Sequence, residues 1–161
     1  MFEGSVEAIF IGPRAGEPME SRSDAHAVAG RGLEGDRYFA GEGTFYSGKE
    51  HDPRREITLI ESEAVEAAER AYEVEIDAGE TRRNIVTRDV PLNHLVDKEF
   101  TVGEVRLRGI KLCEPCSHLE KLTAKGVRKP LIHRGGLRAQ ILDSGTIAVG
   151  DRVASDSPPA E

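Results

Sequence analysis

The two cysteines of the chain lie three residues apart and carry its most specific chemistry. Cys113 and Cys116 form a Cys-x-x-Cys pair with a glutamate and a proline between them. Ser117 followed by Glu120 has the pattern of a capping box, so we predict a helix that begins directly after Cys116. The positive end of a helix dipole favours an anion, and Cys116 is therefore predicted to ionise readily. A thiolate can attack, carry sulfur or bind a metal.

Three kinds of chemistry are compatible with the cysteine pair. A structural zinc site would add His118 and His133, but their spacing is unusual and no second Cys-x-x-Cys is present. A dithiol redox centre is expected in a βαβ setting, whereas the pattern around this pair is rich in strands. A single functional thiolate at Cys116 would bind a soft metal or carry a sulfane sulfur. Both cysteines are also compatible with a structural role as small buried side chains.

Basic residues surround the predicted thiolate. Between residues 117 and 138 only Glu120 is acidic, and the stretch has an excess of five positive charges in a chain of formal net charge −7. The six basic residues are Lys121, Lys125, Arg128, Lys129, Arg134 and Arg138. Such a concentration suits an anionic ligand that carries phosphate, although a solvated basic surface is the simpler interpretation.

A second polar motif, Arg82-Arg83-Asn84, begins a predicted strand. Arginine offers a planar cationic fork, and asparagine offers an amide with both donors and an acceptor. The pair suits a phosphate and the edge of a heterocycle. A surface pair at the start of a strand is the alternative interpretation.

The composition bounds the class of protein. A chain of 161 residues with 38% hydrophobic and 32% charged residues predicts one soluble domain, 1–154, followed by a disordered tail, 155–161. No apolar run could span a bilayer, and the N-terminus lacks a secretory signal, so a cytoplasmic location is predicted. The negative charge argues against nucleic acids and anionic membranes as partners.

The elements that must position these residues are mostly short strands. The first, Gly4 to Gly12, is predicted to be buried on both sides, with Val6, Ala8 and Phe10 on one face. Further strands are predicted at 25–28, 55–60, 82–87, 100–112 with a turn at Gly103-Glu104, and 146–149. Residues 133–137 lead into 139–142, and residues 150–153 close the fold. The number of strands and their glycine-containing turns favour a β-barrel or sandwich over a doubly wound parallel sheet.

One helix and one glycine-rich turn complete the pattern. Apolar residues recur every four positions through Ser62 to Tyr72, which predicts an amphipathic helix. Residues 30–37 contain three glycines and are predicted to form a tight turn between strands. Residues 91–96 are predicted to form a turn with a short helical piece.

The order of several short motifs resembles the MOSC family, a domain also found at the C-terminus of molybdenum cofactor sulfurases. The resemblance covers nearly the whole chain. It implies a mainly β fold, a MOSC-type barrel like the β-barrel of pyruvate kinase, with a few peripheral α-helices. The motifs are Gly35-Asp36-Arg37-Tyr38, residues 55–61, Arg82-Arg83-Asn84-Ile85, Cys113-Glu114-Pro115-Cys116, Arg134-Gly135-Gly136-Leu137 and residues 145–151.

The resemblance also implies a site for the molybdenum cofactor, a molybdenum–pterin phosphate. Cys116 matches the invariant cysteine of the family, which implies that it is the catalytic residue and the molybdenum ligand. Arg82 and Asn84 match the pair that holds the pterin in relatives. The rest of the implied cofactor-binding set is Cys113, Glu114, Arg37 and Arg134.

Two functions follow from this resemblance. In the first, the chain is an oxidoreductase module that reduces N-hydroxylated or similar small substrates with electrons from a partner protein. In the second, it is a non-catalytic carrier that takes sulfur from a donor protein as a Cys116 persulfide, or that delivers the cofactor to another enzyme. The isolated protein need not hold bound cofactor. Both leave the substrate, the electron donor and the oligomeric state unassigned.

Overall fold

The computed structural model describes residues 2–12, 19–36, 56–72, 82–113 and 135–155. These ranges contain eleven strands, one α-helix, α1 (Ser62–Tyr72), and a short 3₁₀ helix, Leu92–His94. The strands are β1 (Glu3–Ile11), β2 (Glu20–Arg22), β3 (Asp24–Val28), β4 (Gly32–Leu33), β5 (Ile57–Glu61), β6 (Ile85–Arg88), β7 (Glu99–Val102), β8 (Val105–Leu112), β9 (Leu137–Asp143), β10 (Gly145–Ala148) and β11 (Arg152–Ala154).

Seven of these strands form a closed barrel. Their order is β1-β6-β5-β9-β8-β7-β11, and β11 pairs back with β1. β2 pairs with the end of β1, and β10, β3 and β4 form a separate three-stranded sheet. The mainly β barrel predicted from the sequence is therefore confirmed.

The barrel has one parallel pair of neighbours, β5 and β6, and α1 connects them. Parallel neighbours need a crossover connection because the chain must return to the end at which it started. This crossover brings the Arg82-Arg83-Asn84 stretch to the start of β6, directly beside the start of β5. The topology thus places the predicted polar motif at a junction of strands.

Alternate residues of the barrel strands fill its interior. Side chains such as Ile57, Leu59, Leu107 and Phe100 are no more than 1% exposed and belong to one core. The alternation arises because successive side chains of a strand point to opposite faces. Closing the sheet also leaves no unpaired edge in the barrel wall.

β1 was predicted to be buried on both sides, but one face is buried and the other only half-buried, and the predicted assignment of its residues to faces is also wrong. Val6 lies in the barrel core with Ile9 and Ile11, whereas Ala8 and Phe10 pack in the cluster beneath α1. The cause is a register shift between Val6 and Ala8 in the pairing with β6. An extra residue in one strand reverses the alternation on either side of it.

The predicted helix Ser62–Tyr72 is confirmed and covers the outer face of β5 and β6. Its buried contacts are made by Ile60, Val65, Ala68 and Val86. At the end of β6, the Arg88 side chain binds Glu66 of the helix and Glu7 of β1. The hydrogen bond from Arg88 lowers the pKa of Glu66. This contribution to stability is present above the usual glutamate pKa and is lost as the pH falls through the lowered value.

The glycine-rich stretch forms the tight turn that the sequence predicts. Gly32 and Leu33 pair back onto β3, and Gly30, Gly32 and Gly35 all have positive φ. No helix in the described part of the chain is long and apolar enough to cross a membrane. Of the predicted tail, only Ser155 belongs to the described residues.

Candidate functional site

Three strand ends meet at one buried arginine. The Arg83 side chain, whose residue is 8% exposed, lies just before β6. Its Nε donates to the carbonyl of Gly135 at 2.8 Å, and a terminal nitrogen donates to the carbonyl of Cys113 at 3.4 Å. Cys113 follows β8 and Gly135 precedes β9. One guanidinium therefore joins the two residues that flank segment 114–134, which contains Cys116.

The backbone of Cys113 is held from a second side as well. Its N–H donates to the carbonyl of Gly136 at 2.7 Å, and the residue is 2% exposed. Gly136 has φ +111°, and a Cβ at that position would collide with the carbonyl oxygen of Leu59 in β5. The absence of a side chain at Gly136 therefore permits the close packing that anchors Cys113.

Asn84 fastens the start of β6 to β1 and β5. Its Oδ1 accepts from the N–H and from the hydroxyl of Thr58, at 3.0 and 3.1 Å. Its Nδ2 donates to the carbonyl of Phe10 at 3.1 Å, and its own carbonyl accepts from the N–H of Phe10 at 2.7 Å. Because the N–H of Thr58 can only donate, these contacts fix which side-chain atom of Asn84 is oxygen.

Removing the Asn84 amide should weaken the fold at this junction. Asn84→Ala leaves the N–H of Thr58 and the carbonyl of Phe10 without their side-chain partner. Each unsatisfied buried group costs about 1–3 kcal/mol. We expect the free energy of unfolding in urea to fall by about 2–4 kcal/mol for this variant. Asn84→Asp keeps the acceptor for Thr58 but sets a carboxylate oxygen against the carbonyl of Phe10, so it should lose at least as much as Asn84→Ala, and wild-type stability of either variant would contradict the assignment of bonds.

Arg82 adopts a backbone conformation that arginine rarely takes. Its φ is +62°, in the left-handed region. Asp89 and Asp97 share this φ, but aspartate is enriched there, whereas a long unbranched side chain gains nothing from it. Such strained positions cost about 1–3 kcal/mol and concentrate at ligand sites. The backbone conformation of Arg82 is therefore consistent with a role in binding a ligand.

A buried carboxylate, that of Asp36, holds the hairpin of β3 and β4 against the end of β1. Asp36 is 3% exposed, and its Oδ1 accepts from the N–H of Gly12 at 2.7 Å. Asp36 belongs to the first motif of the family resemblance and directly precedes Arg37. The motif thus includes a structural anchor, while Arg37 lies outside the described residues.

The structure describes three of the predicted site residues, Arg82, Asn84 and Cys113. It brings Cys113 to the Arg82-Arg83-Asn84 stretch through the side chain of Arg83. The remaining predicted residues lie outside the described ranges, as do the predicted helix after Cys116 and the two histidines considered for zinc: Cys116, Glu114, Arg37, Arg134, His118 and His133. Among the residues that are described, no group of three or more His, Cys, Asp or Glu side chains could hold a metal ion.

Sequence reasoning treated Arg83 only as part of a motif and missed its role. A signal was present, because Arg83 lies two residues before Ile85, and Ile85 faces the barrel core. The predicted strand over 82–87 would put Arg83 and Ile85 on one face. The structure corrects those bounds, because the chain bends at Asn84 and β6 begins only at Ile85. The carbonyl partners of Arg83 at Cys113 and Gly135 lie about 30 and 52 positions away and could not be found from local pattern.

The sequence model of the MOSC domain family matches residues 34–154 of the chain. The chain belongs to the MOSC domain family. This confirms the resemblance seen in the motifs, although no curated protein matches the chain.

Several solved structures share the fold. The YUAD protein from Bacillus subtilis superposes with a TM-score of 0.78 at 16% identity, over 98% of this chain and 100% of that one. YiiM from Escherichia coli superposes with a TM-score of 0.70 at 14% identity, over 99% of this chain and 72% of that one. YiiM from Geobacillus stearothermophilus superposes with a TM-score of 0.68 at 13% identity, over 96% of this chain and 75% of that one. At these identities the likeness concerns the fold alone.

Proposed function

We propose that this MOSC domain binds the molybdenum cofactor beside the start of β6 and acts as an oxidoreductase module on N-hydroxylated or similar small substrates. The observation that carries the proposal is the contact of Arg83 with Cys113 and Gly135. It anchors both ends of the segment that contains Cys116 next to Arg82 and Asn84. A thiol, a guanidinium and an amide are the groups expected to hold molybdenum, phosphate and pterin.

The described residues fit an anionic heterocyclic ligand. The side-chain amide of Asn84 gives one hydrogen to Phe10, and no described residue accepts the other one. This leaves one amide donor for a ring edge. Arg82 adds a permanent positive charge in a strained conformation. In our proposal Arg82 and Asn84 hold the pterin, and Cys116 ligates the metal.

The other predicted residues have supporting parts in this proposal. Cys113 supports the site through its backbone, which Arg83 and Gly136 hold. Arg37 and Arg134 would add positive charge for the phosphate, and the family resemblance implies that Glu114 is near the cofactor. A location in the cytoplasm agrees with a thiolate that must stay reduced.

The reaction requires two electrons. An N-hydroxylated substrate takes up two electrons and two protons, the N–O bond breaks, and the products are the reduced nitrogen compound and water. The cofactor, when bound, would supply the two-electron chemistry. The electrons come from a partner protein, because the sequence shows no flavin or iron–sulfur motif. The chain itself binds the ligand and orients it through Arg82, Asn84 and Cys116.

Turnover separates this proposal from the carrier hypothesis. Protein produced in a cofactor-competent host should reduce an N-hydroxylated amidine when a chemical reductant replaces the partner. The matched control is the same protein from a host that cannot make the cofactor, and it should be inactive. Loaded protein that reduces none of a panel of N-hydroxylated compounds, yet carries one extra sulfur atom on Cys116 by mass spectrometry, would support the carrier and contradict the oxidoreductase.

A further inference from the structure

A cleft lies between the end of β1, the strand β2 and the hairpin of β3 and β4. Its volume is about 310 Å³, at the lower end of the range of about 300–1,000 Å³ that small-molecule sites occupy. The buried side chains of Ile11 and Ala25 supply its apolar surface. This cavity, the β2–β4 cleft, shares no residue with the proposed cofactor site. Its charged and polar side chains are Arg22, Asp24, His26 and Glu34.

The backbone around the β2–β4 cleft is fixed without a ligand. The N–H of Glu34 donates to the carbonyl of His26 at 2.9 Å, which holds the chain beyond β4 against β3. Gly35 has φ +90°, and a Cβ at that position would lie 2.9 Å from Cδ1 of Ile11. The absence of a side chain at Gly35 therefore keeps the cleft open beside Ile11. A cleft formed in advance favours binding because little of the chain has to be ordered by the ligand.

The charges in the β2–β4 cleft do not balance. Within the described part of the chain, the side chains of Asp24 and Glu34 form no hydrogen bond and no ion pair. The positive charge of Arg22 is already paired, because its guanidinium donates to Glu20 at 2.7 Å. An ionised carboxylate can only accept hydrogen bonds. The cleft therefore offers negative charge and acceptors to a ligand that brings positive charge and donors.

We propose that the β2–β4 cleft binds a small organic cation of the guanidine class that carries a flat apolar group. A guanidinium is planar and has several N–H donors, which match the carboxylates of Asp24 and Glu34. The apolar group would contact Ile11 and Ala25, the buried side chains of the cleft. A volume of about 310 Å³ suits a molecule of this size rather than a lone metal ion.

The first test is a titration of cofactor-free, isotope-labelled protein with phenylguanidine, followed through the backbone amide signals by NMR. We expect saturable shifts centred on Ala25, His26 and Glu34, with a Kd of about 1 mM or tighter. Phenylurea has nearly the same shape but no charge, and it should bind at least about tenfold more weakly. Equal binding of the two compounds, shifts confined to other parts of the chain, or no saturable binding would each overturn the proposal.

The second test removes the two carboxylates one at a time. Asp24→Asn and Glu34→Gln should each weaken phenylguanidine binding about three- to tenfold, because a charge-assisted contact is lost. Both side chains are exposed, so neither change should prevent folding.

The matched control is Glu69→Gln on α1, which removes the same charge outside the cleft. It should change the affinity by less than about twofold, because separated surface charges are screened by salt. Equal losses in all three variants would mean that net charge alone attracts phenylguanidine and would overturn the site. Because every measurement uses protein without cofactor, a failure of the proposed function, seen as absent molybdenum, remains distinguishable from a failure of this inference.

Discussion

Replacing Cys116 by serine is expected to leave the domain folded and to reduce its molybdenum content to background. A soft metal prefers thiolate sulfur, and a serine hydroxyl is a poor substitute because it stays protonated and hard. Protein produced in a cofactor-competent host would be analysed for molybdenum by mass spectrometry and for pterin by fluorescence after oxidative release. The same variant should also fail to acquire a sulfane sulfur.

The matched control for this prediction is Cys113→Ala. Cys113 contributes its N–H and its carbonyl to the contacts with Gly136 and Arg83, and alanine keeps both. We therefore expect Cys113→Ala to retain most of the molybdenum. Complete retention of molybdenum by Cys116→Ser would contradict the assignment of Cys116 as the metal ligand.

Gly136→Ala is expected to be the most destabilising single-methyl change in the described part of the site. The residue is buried with φ +111°, where a side chain costs about 1–3 kcal/mol in backbone strain. Its Cβ would also collide with the carbonyl oxygen of Leu59, and overpacking costs about 1–3 kcal/mol more. Together these effects are a large share of a typical domain stability of about 5–15 kcal/mol.

Gly150→Ala provides a matched control for Gly136→Ala. Gly150 also has positive φ, +94°, but a Cβ there meets no atom within 4 Å. The control therefore carries the backbone strain without the collision. Urea denaturation should show the larger loss for Gly136→Ala, with faster exchange of the Cys113 amide in that variant alone. Equal losses for the two alanines would contradict the close packing of β9 on β5.

The secondary structure was largely predictable because local periodicity determines it. The helix Ser62–Tyr72 has the predicted bounds, since apolar residues recur at helical spacing and Ser62 begins it. The two strands joined at Gly103-Glu104 were predicted for the same reason, with alternating side chains on each side of a turn. These signals depend on neighbours within a few residues.

The faces of β1 could not be predicted because they depend on a distant strand. The bulge between Val6 and Ala8 exists only in the pairing with β6, about eighty residues along the chain. The same limit applies to Arg83 and Asn84, whose partners lie on other strands. The motif indicated which residues matter, but only the fold shows that Arg83 spaces two carbonyls and that Asn84 joins three strands.

The metal ligand was inferred from family resemblance combined with the capping pattern. Nothing in the periodicity around Cys116 distinguishes a ligand from a small buried side chain. The structure shows that the backbone of Cys113, three residues before Cys116, is anchored by Arg83 and Gly136. The family match supports the fold. The assignment of Cys116 to molybdenum remains a prediction.

The measurement that tests the central proposal most directly is the molybdenum, zinc and pterin content of the wild-type protein, produced in a cofactor-competent host and purified in the folded state. We predict nearly one molybdenum atom and one pterin per chain, with little zinc. Zinc without pterin, or well-folded protein with neither metal nor pterin, would contradict it.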